Sequence, residues 1–276
     1  MTRSVMARTI LVLAVSVAVI FNSSQSRGAK GPQFKDGGNP HNLSYDNTGV
    51  NYRATDPTDS RAKQICIFCH TPHNARAQTV LWNRADTTQT FGHYSSGSLS
   101  IHKDSATRAA SDYKAEPNGS SRLCLSCHDG VTALGAILNG GFNSDPIEVS
   151  GSQATVMSGS HVFDRAKITN SHHPVSFKYV TDVVVKLNAL EGPGNTYTLP
   201  VNSSSNARTS VKLDKEQRVQ CTTCHDPHQS QYKDVVNTPP LTPFWVYDGS
   251  GLGVTTANTV HDEVCIACHS FTAPNP

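Results

Sequence analysis

Apolar residues form only short stretches along this chain, and segments rich in Gly, Pro, Ser and Asn separate them. Residues 175–185 and 197–201 combine β-branched and aromatic side chains, a composition that favours strands. Residues 181–187 are followed by Gly192-Pro193-Gly194-Asn195, which predicts a hairpin turn. Residues 211–213 supply a candidate third strand. The pattern therefore predicts a small β-hairpin region in the second half of the chain.

Helical periodicity is weak elsewhere. Residues 130–138 are compatible with one short helix, and residues 78–122, rich in Ser, Thr, Ala and Gly, are predicted to be irregular. No linker-like segment interrupts residues 29–276, so we predict a single domain there.

The first residues have the order of an export signal. Arg3 and Arg8 precede an apolar run over residues 10–21, and small polar residues follow. This order predicts a secretory signal peptide over residues 1–28, cleaved at about 26–29, with an uncleaved anchor as the alternative. No later segment is apolar enough to predict a membrane span.

Composition limits both the core and the partners. Hydrophobic residues make up 37% of the 276 residues and charged residues 16%, with 19 Gly and 15 Pro. The hydrophobic fraction is low for a conventional aliphatic core. The charged fraction is low for a charge-driven disordered chain. Something other than aliphatic side chains must fill the interior. A net charge of +2 excludes a polybasic nucleic-acid binder.

The eight cysteines suggest what fills the interior. They form four copies of C-x-x-C-H, and no cysteine is left over. The copies are Cys66-Ile67-Phe68-Cys69-His70, Cys124-Leu125-Ser126-Cys127-His128, Cys221-Thr222-Thr223-Cys224-His225 and Cys265-Ile266-Ala267-Cys268-His269. In c-type haem attachment each thiol adds to a haem vinyl group, and the adjacent His binds the iron. The sequence predicts a multihaem cytochrome c: a mostly irregular chain wrapped around four haem c groups, with short helices at the motifs.

A disulfide framework and a zinc site are the alternatives. Disulfides suit an exported protein but give no reason for a His after every second Cys. Zinc sites usually use two C-x-x-C pairs per metal and no fixed adjacent His. The repeated His favours haem, and the predicted proximal ligands are His70, His128, His225 and His269.

The second iron ligand must come from another histidine or from methionine. Met157 is the one methionine beyond the predicted signal peptide, and its context favours packing. Bis-histidine iron at all four haems is the economical prediction, which gives low-potential carriers with no open site for a substrate. We therefore expect an electron carrier rather than an enzyme. The nine remaining histidines are His41, His73, His93, His102, His161, His172, His173, His228 and His261.

Two of these histidines lie three residues after a proximal one, His73 after His70 and His228 after His225. Side chains at i and i+3 of a helical turn lie roughly 5–6 Å apart on the same side. Such a histidine cannot reach the opposite face of its own haem, so as an iron ligand it must serve a different haem. The alternative is a surface histidine or one that bonds a propionate.

Sequence context also favours His173 and His41. Pro174 biases His173 toward extended backbone. His41 follows the predicted signal peptide, where an N-terminal arm can reach a neighbouring haem or a neighbouring molecule. His161 and His172 are reserves. A solvated or hydrogen-bonded role is more typical of His93, His102, His261 and also His161.

Five short strings together carry a resemblance to a known family. They are Cys69-His70-Thr71-Pro72-His73, Leu81-Trp82-Asn83-Arg84, Cys127-His128-Asp129-Gly130, His173-Pro174-Val175-Ser176-Phe177 and Cys224-His225-Asp226-Pro227-His228. In this order they resemble multihaem c-type cytochromes of metal-reducing bacteria, in particular the extracellular tetrahaem cytochromes of the OmcE type. The resemblance implies bis-histidine iron throughout, with the distal set His41, His73, His173 and His228. It also implies filaments in which one histidine, here His41, crosses to a haem of the next subunit.

The resulting hypothesis is an exported, polymerising electron carrier. Its expected partners are redox proteins, further copies of itself and extracellular acceptors such as metal oxides, and no nucleic acid. One alternative is a periplasmic or outer-surface shuttle that does not polymerise. The other is a multihaem reductase, which needs one five-coordinate haem with a catalytic pocket.

Overall fold

The computed structural model describes residues 39–75, 81–92, 94, 99–113, 116–141, 143–163, 173–191, 195–200, 211–228, 246 and 264–271. The chain divides into two units, Met1–Gln33 and Phe34–Pro276, and every described residue belongs to the second. The predicted signal peptide lies outside the described residues, as do His93, His172, His261 and the side chain of His102. Among the helices that are described, none has the length and apolar character needed to cross a membrane.

Helices in the described segments are short, and several carry a cysteine motif. The α-helices are α1 Ser100–Lys103, α2 Ser105–Ala110, α3 Gly119–His128, α4 Thr181–Glu191 and α5 Cys221–Cys224. Single 3₁₀ turns span Ser60–Lys63, Cys66–Phe68 and Gly159–His161. The first motif begins in a 3₁₀ turn, the second lies in α3 and the third in α5. The prediction of an irregular chain with short helices at these motifs is confirmed.

The segment predicted to be irregular over residues 78–122 contains α1, α2 and the start of α3, so that prediction is wrong there. The Asp104 carboxylate caps α2 by accepting hydrogen bonds from the N–H groups of Ala106 at 3.1 Å and Thr107 at 2.7 Å. It also accepts one from the Thr107 hydroxyl at 2.6 Å. Such a cap satisfies backbone donors that a short helix leaves open.

The stretch TDVVVKL forms a helix, although its composition predicts a strand. In α4 the buried side chains are Val183 and Leu187, which are one helical turn apart. They pack in a cluster with Ile101, Phe177 and Tyr179. Packing at a helical period outweighs the strand preference of three consecutive valines, which is a weak local preference.

The β structure is small and antiparallel, but it is not a local hairpin. Strand β1 (Phe177–Lys178) pairs with β3 (Arg218–Val219), and β2 (Asn195–Tyr197) pairs with β4 (His269–Phe271). Both pairings join distant segments, so the predicted hairpin is wrong. Residues 211–213 form no strand, although Val211 is buried.

Residues 130–138 form turns instead of the predicted helix. Gly130 has φ +71°, which is outside the helical region. The Asp129 carboxylate binds the N–H groups of Val131 and Thr132 at 3.0 and 2.9 Å. Gly135 lies against the backbone of Ile147, whose N–H donates to the Gly135 carbonyl at 2.9 Å. These bonds replace those that a helix would make.

Two small apolar cores lie beside the cysteine motifs. The first contains Phe68, Leu134 and Ile147, and Cys69 and Cys127 pack against it. Met157 also packs there. The second is the α4 cluster described above, against which Cys268 packs. Each core therefore ends at residues predicted to attach haem.

Candidate haem sites

The first motif is positioned by a short strand-like pairing. The His70 N–H donates to the Cys66 carbonyl at 2.8 Å, which turns the chain within the motif. The Asn83 N–H then donates to the Cys69 carbonyl at 2.8 Å. This pairing brings the Trp82 ring edge-on to His70, with ring centroids 5.6 Å apart. The indole limits the orientations that His70 can adopt.

The second and third motifs are held together by hydrogen bonds between α3 and α5. The Ser121 hydroxyl donates to the Gln220 amide oxygen at 2.6 Å and accepts from the Cys221 N–H at 2.9 Å. Gln220 is 1% exposed and also caps α5. The thiols of Cys124 and Cys221 lie close enough that each shifts the pKa of the other, which raises the pKa of Cys124 and lowers that of Cys221. The first cysteines of the two motifs are therefore neighbours.

The fourth motif is fixed by the second core and by strand β4. The Cys268 N–H donates to the Cys265 carbonyl at 3.1 Å, and the Tyr179 hydroxyl donates to the Cys268 carbonyl at 3.2 Å. The Tyr197 ring lies edge-on to His269, with ring centroids 5.1 Å apart. These contacts orient the proximal histidine.

No disulfide joins any of the eight motif cysteines in the structure. Burial raises the pKa of the Cys224 thiol to about 12 and that of Cys268 to about 11. Such thiols are protonated at neutral pH and lack the depressed pKa of reactive cysteines.

Three of the four proximal histidines face a predicted distal histidine. The ring centroids are 6.2 Å apart for His128 and His41, 6.1 Å for His70 and His228, and 6.2 Å for His269 and His173. Two imidazoles that bind one metal ion, each through a nitrogen about 2 Å from the metal, have centroids about 6 Å apart. The spacing of all three pairs therefore fits an iron between them.

The second ring nitrogen of several of these histidines already has a partner. The Nδ1 atoms of His128 and His173 lie 2.7 Å from the carbonyls of His161 and Pro174. The Nδ1 atom of His228 lies 3.2 Å from an Asp226 carboxylate oxygen. Metal-binding histidines usually make such a bond, because it fixes the tautomer and leaves Nε2 for the metal. The donor set fits haem iron.

Burial keeps two of the paired histidines neutral. Burial and the neighbouring His128 lower the pKa of His41 to about 4, and burial and His173 lower that of His269 to about 4. A neutral imidazole has a free lone pair at neutral pH, as an iron ligand requires. The Asp226 carboxylate instead raises the pKa of His228.

The fourth predicted distal ligand, His73, does not lie against a predicted proximal histidine in the described part of the chain. His73 is exposed, and its hydrogen bonds in the described segments are made by its backbone. The ring pairs of the described proximal histidines do not include it. His161, the reserve candidate for a distal ligand, contacts the His128 ring through its backbone carbonyl, and its own side chain is exposed.

Sequence reasoning did not identify the residues that support these histidines. These residues come from segments distant from the groups that they contact. They are Trp82 at His70, Gln220 between α3 and α5, and Pro227, whose carbonyl lies at the His41 ring. Trp82 lies in a string that carried the family resemblance, but no spacing rule linked it to His70. The family resemblance was therefore the only feature of the sequence that pointed to Trp82.

Comparison with protein families matches residues 215–242, which contain the third motif, to the doubled CXXCH motif. This motif indicates covalent haem c binding and suggests an electron-carrying multihaem c-type cytochrome. A search of curated proteins finds no match to the chain.

Proposed function

We propose that this protein is an exported tetrahaem cytochrome in which two histidines hold each iron and whose function is electron transfer. The proposal depends on one observation above all, the three proximal–distal ring pairs at 6.1–6.2 Å. Bound haem iron supplies one-electron chemistry. Ligation by two imidazoles leaves no open iron position, which favours a carrier over a reductase.

The attachment points of successive haems are adjacent, which supports a continuous electron route. Cys69 and Cys127 pack against one apolar core, and the Cys124 and Cys221 thiols are close enough to shift each other's pKa. Cys268 lies near Cys224, because it raises the pKa of the Cys224 thiol in addition to the effect of burial. His228 lies three residues after the third proximal histidine yet faces the first. The turn that contains it would therefore join the first and third haems.

Low-temperature EPR of the oxidised native protein tests the carrier assignment. Two imidazole ligands on each iron give low-spin signals from every haem. A high-spin signal of one haem per chain would instead favour a reductase with a five-coordinate iron.

We further propose that the chain polymerises and passes electrons to redox proteins and to extracellular acceptors such as metal oxides. The resemblance suggested His41 as the ligand that crosses between subunits, but His41 lies against His128 of its own chain. His73 is exposed and belongs to none of the three ring pairs, so it is our candidate for the crossing ligand.

Electron microscopy of the native secreted fraction tests polymerisation. Filaments are expected from the native protein and from His161→Ala, because the His161 side chain is not assigned to iron. His73→Ala should give discrete particles with four haems retained. Discrete particles from the native protein at high concentration would favour the non-polymerising shuttle, and filaments from His73→Ala would remove His73 from the crossing role.

A further inference from the structure

Arg84 is a completely buried cation between two of the proposed haem sites. Its exposed fraction is 0%. Burial of an arginine is costly unless its charge is paired, and a carboxylate is the usual partner. The partners of Arg84 therefore matter for the electrostatics around it.

The guanidinium group is bonded by neutral backbone carbonyls. Nη1 donates to the Leu134 carbonyl at 2.7 Å, and Nη2 donates to those of Ala133 at 2.8 Å and Ser126 at 3.0 Å. Nε donates to the Ser126 carbonyl at 3.3 Å. Among the described residues no carboxylate forms an ion pair with Arg84. The carbonyls stabilise the charge but do not neutralise it.

The position of this charge is set by the first and second motifs. Ser126 lies inside the second motif, between Cys124 and Cys127. Asn83, the residue before Arg84, is bonded to the Cys69 carbonyl of the first motif. The hydrogen bonds of the Arg84 side chain therefore tie it to the part of the molecule that holds these two motifs.

The geometry points to Arg84 as a positioning residue that sets reduction potential: its fixed charge raises the potentials of the first and second haems. This inference rests on the proposed function. Reduction adds one electron to each ferric iron and so adds one negative charge. A fixed positive charge nearby in a low-dielectric interior stabilises the reduced form more than the oxidised form. Arginine stays protonated, so no proton moves at this residue.

A potentiometric titration of the native holoprotein and three variants, with dithionite as reductant and optical detection, tests the assignment. Arg84→Gln removes the charge and keeps an amide donor, so two of the four haems should titrate at lower potential. Arg84→Lys keeps the charge, so those two haems should stay near the native potential. The double variant Asp59→Asn/Arg61→Gln is the matched control, because it removes a buried arginine together with its carboxylate partner, paired at 2.7 Å, without changing the net charge. It should leave all four potentials unchanged.

Native potentials in Arg84→Gln, or equal shifts in the Gln and Lys variants, would overturn the inference. If Arg84→Gln does not fold, NMR of the native protein during reduction serves instead. The first and second haems should be reduced before the other two. The inference would be contradicted if the first and second haems were reduced last. A native protein with fewer than four haems would contradict the proposed function, whereas four haems with unshifted potentials would contradict this inference alone.

Discussion

At the scale of single residues, each proposed iron site combines a motif histidine with a histidine from a distant segment. His128 faces His41 near the start of the described chain, and His70 faces His228 near the other end. The motif residues could be predicted because their pattern is contiguous in sequence. The pairing could not, because it depends on how the chain folds back, and Arg84 shows no pattern that predicts its burial.

The pairing of His173 with His269 predicts the result of a single substitution. His173→Ala removes the second imidazole from the fourth haem, so EPR of the oxidised protein should show a high-spin signal from one haem per chain. His161→Ala should show none, since His161 contributes its carbonyl. An unchanged low-spin spectrum in His173→Ala would rule out this ligand pair.

At the scale of secondary structure elements, local preference predicted the motif helices better than the segments between them. Residues 181–191 form a helix because Val183 and Leu187 share one face against the second core. Residues 130–138 form turns because the Asp129 and Arg84 side chains bond the backbone groups that a helix would use. The packing of residues 181–191 and the bond from Arg84 to Leu134 are long-range, and a single sequence does not reveal such contacts, whereas the Asp129 bonds are local.

The turns over residues 130–138 depend on a close backbone approach at Gly135. A Cβ there would lie 1.8 Å from the Ile147 carbonyl oxygen, so Gly135→Ala must displace backbone. We expect a loss of about 3 kcal/mol in the free energy of unfolding, the upper end of the usual cost of overpacking, measured by thermal or denaturant unfolding of the holoprotein.

Gly141→Ala is the control, because no atom lies within 4 Å of its Cβ position. Because Gly141 has a φ of +77°, Gly141→Ala should lower the free energy of unfolding only through left-handed backbone strain, by about 1 kcal/mol. Equal stabilities of the Gly135 and Gly141 variants would contradict the close approach of Gly135 to Ile147.

At the scale of the whole molecule, the proposed four haems would account for the low apolar content of the chain. The two apolar cores are small and end at motif cysteines. Covalent attachment at eight sulfurs would also restrict the unfolded chain, as disulfides do.

Haem attachment predicts a lower isoelectric point than the sequence gives. Cleavage after Ser26, within the predicted range, takes away two of the 23 basic residues and leaves 21, equal to the 21 acidic ones. Four haems, each with two propionates, then shift the charge by roughly −4 when oxidised. Isoelectric focusing of the native holoprotein should give a value below the sequence pI of 8.1, and a value above it would contradict the haem content.

The intact mass of the denatured native protein tests the central claim most directly. Thioether bonds survive denaturation, so the polypeptide should carry four haems through its eight cysteines. A mass equal to the polypeptide plus four haems is the predicted result. The bare polypeptide mass, or a mass with fewer haems, would contradict the tetrahaem account.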